Sequence, residues 1–183
     1  RSEISRLNHS VEDVLKYCRG QQYQDKSSQE RVEKIINRVV LLLETKLKEK
    51  SIQVSIHLGS DNHQFFTDKT AMIQVLMNII INAIDAVEKN GRIIIEHGKH
   101  EKGCFIRISD DGPGIDESLA EEVFQSFVTF KEEGTGLGLS ISKRIVESLG
   151  GKIVIEKSTI GGAAFSIVLP EKKFINNESI QHV

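Results

Sequence analysis

The chain has 183 residues, of which 39% are apolar and 27% are charged, and a chain of this length buries about 70% of its extended surface when it folds as one domain. Lysine and arginine number 24 against 26 for aspartate and glutamate, so the formal charge is -2. This balance argues against a nucleic-acid binder or an anionic-membrane binder, because the chain has no general positive field. The longest apolar run, residues 39–43, is far shorter than the roughly 20 residues that cross a bilayer.

The two cysteines, Cys18 and Cys104, lack metal-ligand spacing and suit a reducing compartment. The chain begins at Arg1 rather than at a methionine, which indicates a piece of a longer protein. We therefore expect a cytoplasmic domain, and the sequence leaves open whether a membrane anchor lies upstream in the parent protein.

The N-terminal residues differ in pattern from the rest of the chain. Apolar side chains recur at three- and four-residue steps over residues 4–18, which predicts a single amphipathic helix. A polar linker follows. We divide the chain into this helix, the linker, one α/β domain and a tail, at residues 1–19, 20–28, 29–170 and 171–183.

The predicted domain opens with a helix. Ser27 and Glu30 have the spacing of a capping box, and the apolar face behind them continues to Leu47. The apolar period then changes to two over residues 52–58, which predicts a strand. Residues 64–67 predict a short partner strand.

The next helix is apolar on nearly every side, and it is predicted from a cap at Asp68 to about Lys89. At ~100° per residue, its polar side chains fall within about 80° of one another, and they are Gln74, Asn78, Asn82 and Asp85. A solvated edge would explain one such stripe. Asparagine oxygens, however, ligate hard cations that keep phosphate oxygens as their other ligands, so the stripe favours Mg²⁺ on a nucleotide.

Two strands follow, at residues 92–98 and 104–109, and the second ends at Asp110. Gly112 and Gly114 allow the backbone to approach a flat ligand closely, and the Asp110 carboxylate can accept a hydrogen bond from an exocyclic amine. An ordinary turn is the alternative interpretation.

A glycine-rich segment, residues 134–140, leads directly into the last helix. Free N–H groups and the helix dipole at such a start favour phosphate. The segment is not a Walker loop, and Leu139 replaces the third glycine of a dinucleotide fingerprint. Between a short helix at residues 117–124 and Leu139 the pattern predicts a mobile loop.

The last helix stops at Gly150-Gly151, and two strands at residues 152–158 and 163–169 close the domain around a Gly161-Gly162 turn. The irregular order of helices and strands predicts an α/β fold of the α+β kind. We expect a two-layer sandwich with the helices on one face of a mixed, largely antiparallel sheet.

Taken in this order, the elements resemble the catalytic and ATP-binding domain of the sensor histidine kinases of two-component systems, within the gyrase and histidine kinase ATPase superfamily. Residues 29–170 carry the resemblance, and residues 3–19 look like the end of the second helix of a dimerisation hairpin. The matching motifs are the N box, the first glycine box, the phenylalanine box and the second glycine box, at residues 74–86, 110–114, 123–131 and 134–140.

The resemblance implies ATP and Mg²⁺ as cofactors. Asn82 would ligate Mg²⁺ with Asn78 assisting, and Asp110 would accept from the adenine amino group. Gly112 and Gly114 would shape the adenine pocket. The loop would be an ATP lid, and the backbone donors to the triphosphate would come from Gly134, Gly136, Leu137 and Gly138. Thr135 is a weaker candidate for the same site.

Four further side chains receive weaker assignments from the resemblance. Lys131 would neutralise charge on the terminal phosphoryl group, with a solvated lysine as the alternative. Asp85 stands where related kinases often carry a basic residue, so a bridging role through water or Mg²⁺ is its remaining option. Phe124 and Phe127 would seat the lid on the core as hydrophobic latches.

The implied reaction is transfer of the γ-phosphoryl group to a histidine on a dimerisation domain, in the same or the partner subunit. The further partner that the resemblance implies is a response regulator receiver domain. None of the six histidines fits that acceptor, since His9 is followed by Ser10 rather than an acid. We expect this chain to bind Mg-ATP without phosphorylating itself, and to form a homodimer only with the full hairpin. The alternatives are a serine kinase of the anti-sigma type and a non-catalytic, nucleotide-gated interaction module.

Overall fold

The computed structural model describes residues 29–59, 65–129 and 134–171. The predicted N-terminal helix, the linker and the tail beyond residue 171 lie outside these ranges, so the three boundaries between the predicted segments stay predictions. In the described ranges, no helix combines the length and the apolar character that crossing a membrane requires.

The described helices and strands follow the predicted order closely. In chain order they are β1 (Gln29–Arg31), α1 (Val32–Leu42), α2 (Glu44–Glu49), β2 (Gln53–Leu58), β3 (Phe66–Asp68), α3 (Lys69–Ala86), β4 (Arg92–His100), β5 (Gly103–Asp110), α4 (Gly138–Ser148), β6 (Lys152–Lys157) and β7 (Ala163–Pro170). The short helix predicted between β5 and α4 is present as two 3₁₀ turns, Glu117–Leu119 and Glu122–Phe124.

The main sheet has five strands in the order β2-β4-β5-β7-β6. Only the pairing of β2 with β4 is parallel, and the other three pairings are antiparallel. The prediction of a mixed, largely antiparallel sheet is therefore confirmed. A second, two-stranded sheet joins β1 to β3.

One face of the main sheet carries the core. Because side chains alternate along a strand, the register aligns one apolar row across all five strands, consisting of Ile56, Ile95, Ile108, Phe165 and Ile155. These residues pack with apolar side chains of α1, α3 and α4. The other face carries a polar network in which Arg107 contacts Ser166 and Glu156. The predicted two-layer sandwich is confirmed.

The predicted capping box is wrong. Glu30 lies in β1, where it pairs with Thr67 of β3, and α1 begins only at Val32. The Val32 backbone nitrogen donates to the Phe65 carbonyl oxygen at 3.0 Å. This contact holds the start of α1 against a distant segment. The strand predicted at residues 64–67 is present as β3, and it pairs with β1 rather than with β2.

The start of α3 is confirmed and its end is not. Asp68 Oδ1 accepts from the Ala71 backbone nitrogen at 2.8 Å, as an N-cap does. The helix ends at Ala86, three residues before the predicted Lys89. Lys50 Nζ reaches this end and donates to the carbonyl oxygens of Ile84 and Val87, at 2.7 and 3.0 Å.

Candidate functional site

Helix α3 brings the predicted site elements together. In its middle, Asn78 Nδ2 donates to the Gly138 carbonyl oxygen at 3.1 Å, so the stripe and the second glycine segment touch. At its end, Gly112 lies so close that an added Cβ would stand 2.9 Å from the Ala86 carbonyl oxygen. A helix rises about 12 Å over eight residues. The turn that follows Asp110 and the glycine segment therefore both lie against α3, about 12 Å apart.

The polar stripe on α3 is as predicted. Gln74, Asn78 and Asn82 are half-buried and Asp85 is exposed. The rest of the helix supplies fully buried side chains, among them Met72, Val75, Leu76, Ile79 and Ile80. The stripe is thus the accessible side of a helix that is otherwise part of the core.

Asp110 is buried, with only 3% of the residue exposed. It pairs with Ile93 at the end of β5, two residues beyond Ile108, so its side chain lies on the core face. Its Oδ1 accepts from the backbone nitrogens of Gly112 and Ala163, at 2.9 and 3.2 Å. Desolvation on burial raises the pKa of Asp110, and these two hydrogen bonds offset the rise only in part.

The turn between β6 and β7 supports Asp110, which sequence reasoning missed. The Gly162 nitrogen donates to the Asp110 carbonyl oxygen at 3.0 Å, and a Cβ at Gly162 would collide with Asp110 Oδ1. The signal was the Gly161-Gly162 pair, which the sequence pattern had assigned to a simple turn. Ala163 has no polar side chain, and it holds the carboxylate through its backbone nitrogen.

The glycine segment ends at the start of α4. The first-turn N–H groups of an α-helix have no acceptor within the helix, and α4 is long enough, at 11 residues, for its dipole to favour an anion there. Leu137 is buried, and its nitrogen donates weakly to Thr135 Oγ1 at 3.4 Å. Gly134, Thr135 and Gly138 are half-buried, so the segment is partly open to solvent.

The assignments of Lys131, Phe124 and Phe127 in and beside the loop have different outcomes. Lys131 lies outside the described residues, so its role stays a prediction. Phe124 is buried, and Lys143 Nζ stands 5.3 Å from the centre of its ring. Phe127 is 71% exposed, so its assignment as a latch is wrong. The Phe127 backbone has a φ of 70°, and its nitrogen donates a hydrogen bond to the Gly136 carbonyl oxygen. The ring of Phe127 lies in solvent.

Residues 67–173 match the family of histidine kinase-, DNA gyrase B-, and HSP90-like ATPases. The chain belongs to this family. The match spans α3, Asp110 and the glycine segment, which are the elements that meet in the structure.

Similar known proteins indicate which group within the ATPase family this chain belongs to. The catalytic domain of histidine kinase ThkA has a TM-score of 0.73 and 32% identity, over 80% of this chain and 97% of that one. AtoS of Escherichia coli K12, a signal transduction histidine-protein kinase, is 31% identical over 92% of this chain. The chain is therefore the ATP-binding catalytic domain of a histidine kinase, and it spans 28% of the length of AtoS.

Proposed function

We propose that this domain transfers the γ-phosphoryl group of Mg-ATP to a histidine on a dimerisation domain of the same or the partner subunit. The observation that carries the proposal is the arrangement along α3. A buried carboxylate lies near one end of α3, and the start of α4, whose N–H groups suit an anion, lies against the middle, about 12 Å away. A purine triphosphate needs recognition both at its base and at its phosphates, and these two places on α3 would provide it.

The adenine would lie at the Asp110 end. Both hydrogen bonds that the structure describes at this carboxylate go to Oδ1, so Oδ2 is the oxygen for the adenine amino group. The Gly112 backbone already contacts the end of α3, and Gly114 adopts a φ of 78° that suits glycine. These two residues would form the wall of the adenine pocket.

The triphosphate would lie at the start of α4. The backbone N–H groups that donate to it would be those of Gly134, Thr135, Gly136, Leu137 and Gly138. Backbone donors bind phosphate without the entropic cost of ordering a long side chain. Lys131 would contact the terminal phosphoryl group, where a cation stabilises the charge that spreads over its oxygens.

The donor set around Asn78 fits Mg²⁺. The Asn78 nitrogen is directed to Gly138, so the amide oxygen is the atom that remains for a cation, with Asn82 one turn further along α3 as the main ligand. Asp85, which is exposed, would act through water. A bound Mg²⁺ neutralises phosphate charge and orients the terminal phosphoryl group.

Partners follow from the reaction. Histidine kinase ThkA was solved in complex with the response regulator protein TrrA, and that structure covers 93% of this chain at 29% identity, with a TM-score of 0.75. We infer that the phosphoryl group of the dimerisation-domain histidine passes to a receiver domain of this kind. Because the reaction consumes cellular ATP, we place the domain in the cytoplasm.

Calorimetric titration with a non-hydrolysable ATP analogue, with and without Mg²⁺, tests the site. We expect Asn82→Ala to lose chiefly the contribution of Mg²⁺, and Asp110→Asn to lose affinity in both conditions. Equal, unchanged affinities in both variants would place the nucleotide elsewhere.

Transfer is tested by adding a separately expressed hairpin that carries a histidine. Label from the γ-phosphate of ATP is expected on that histidine and not on this chain. Label on serine would favour the anti-sigma type of kinase, and tight binding without any transfer would favour the non-catalytic module.

A further inference from the structure

Ser142 is completely buried, with 0% exposure, and it lies one turn into α4. Its hydroxyl donates to the Gly138 carbonyl oxygen at 2.9 Å and accepts from Asn78 Nδ2 at 3.2 Å. A polar side chain in such a place costs stability unless its hydrogen bonds are made. Here both bonds involve groups of the candidate site.

The triangle of Asn78, Gly138 and Ser142 fixes the orientation of the Asn78 amide. A carbonyl oxygen can only accept, so the Asn78 atom that lies 3.1 Å from the Gly138 oxygen must be the nitrogen. The hydroxyl hydrogen of Ser142 is used on the same carbonyl, so its oxygen meets the amide as an acceptor. The Gly138 and Ser142 oxygens, 2.9 Å from each other, lie on the same side of the Asn78 nitrogen, so the NH₂ group faces the start of α4.

This orientation limits what Asn78 can bind. Its NH₂ group is held against the start of α4, which leaves the amide oxygen as the atom that interacts with a ligand. An amide oxygen ligates a cation or accepts from a metal-bound water, and it repels phosphate. Without the Ser142 hydroxyl, a single bond to Gly138 would hold the amide, and its orientation toward the ligand would be less restricted.

We propose that Ser142 is a positioning residue for Asn78, which it holds so that the side chain presents an oxygen to the metal of the bound nucleotide. The inference rests on the proposed function, because it takes Mg-ATP as the ligand. It extends that function by one residue that touches neither the metal nor the phosphates.

The first test uses the nucleotide-free domain, so it does not depend on the proposed function. Asn78→Ala identifies the side-chain NH₂ signals of Asn78 by their disappearance from the NMR spectrum. We expect Ser142→Ala to shift one of these two proton signals upfield and to speed the exchange of the pair with water. Ser148→Ala is the control, because Ser148 Oγ also donates to a carbonyl oxygen of α4, that of Ile145, at 2.7 Å.

The second test measures nucleotide affinity with and without Mg²⁺. Ser142→Ala should lower the affinity for the Mg²⁺-bound analogue roughly tenfold, as loss of an outer-shell partner does, and leave the metal-free affinity unchanged. In an Asn78→Ala background the same substitution should have no further effect, since Ser142 acts through Asn78. Ser148→Ala should change neither affinity.

The outcomes separate the two proposals. If the wild-type domain binds no Mg²⁺-nucleotide, the proposed function fails, while the NMR test still reports on the amide. Unchanged Asn78 signals in Ser142→Ala overturn the positioning role. An equal loss of affinity with and without Mg²⁺, or a full effect in the Asn78→Ala background, also overturns it, because each would indicate a general structural effect.

Discussion

The backbone nitrogen of Phe127 donates to the carbonyl oxygen of Gly136 at 3.0 Å. Gly136 has a φ of 67°, and an added Cβ would lie 2.5 Å from the Phe127 carbonyl carbon and 2.7 Å from the Val128 nitrogen. Position 136 therefore requires glycine because the Phe127 and Val128 backbone leaves no room for a side chain. A phosphate that approached the segment closely would be a second reason.

Gly136→Ala should destabilise the domain and weaken nucleotide binding, because the segment that leads into α4 must move away from Phe127. Gly150→Ala is the matched control, since Gly150 has a φ of 80° and its nearest contact would be 3.4 Å away. Both variants pay roughly 1–2 kcal/mol for the left-handed backbone. Urea unfolding should show a larger loss for Gly136→Ala, and equal losses would mean that the loop absorbs the clash.

Asp110→Asn should change the purine preference of the site. The asparagine oxygen can keep both backbone hydrogen bonds, while its nitrogen replaces Oδ2 and meets the adenine amino group donor to donor. ATP affinity should fall at least about tenfold, which corresponds to about 1.4 kcal/mol, and inosine triphosphate should lose less because its 6-oxo group accepts.

Asp111→Asn is the control for this change of preference, because the Asp111 carboxylate binds Arg92 instead, through contacts of 2.8 and 3.1 Å. It should leave the ratio of the two affinities unchanged. Competition binding measures this ratio, and a parallel loss of both nucleotides in Asp110→Asn would contradict the assignment.

Nucleotide affinity should depend on pH through Asp110. Burial raises the pKa of this carboxyl, and the ionised form is the better acceptor for an amine. ATP affinity should therefore be highest above the pKa of Asp110 in the folded domain and fall as the pH is lowered through that pKa. Because this pKa is raised, the fall should begin at a higher pH than it would for an ordinary aspartate. In the free domain the sign is opposite, since ionisation of Asp110 costs stability as the pH rises through the same pKa.

Titrations at a series of pH values check this dependence. Asp110→Asn should abolish it, because the amide does not titrate. If the variant keeps the pH profile of the wild type, another group is responsible.

Lys50→Met should destabilise the domain by about 1–2 kcal/mol, because the ammonium group satisfies carbonyl oxygens at the negative end of α3. Lys48→Met is the control, since Lys48 is exposed and its ion pair within the described ranges is with Glu44 on the surface, at 2.7 Å. Thermal unfolding should change little for Lys48→Met. Similar losses in the two variants would mean that the contacts of Lys50 with α3 contribute no more than a surface ion pair.

The sequence by itself determined the features that depend on neighbouring residues. The cap at Asp68, the apolar faces of the helices, the alternation in the strands and the glycine segment before α4 all follow from residues within a few positions of one another. The four motifs in their order also carried the resemblance to the histidine kinase family that the comparisons show.

Only the tertiary structure decided which distant residues meet. A strand stands where the capping box was expected, because residues 29–31 pair with a segment more than thirty residues away. The hydrogen bonds from Ala163 to Asp110 and from Asn78 to Ser142 join residues 53 and 64 positions apart. Sheet register and helix packing fix such contacts, and no local pattern in the chain records them.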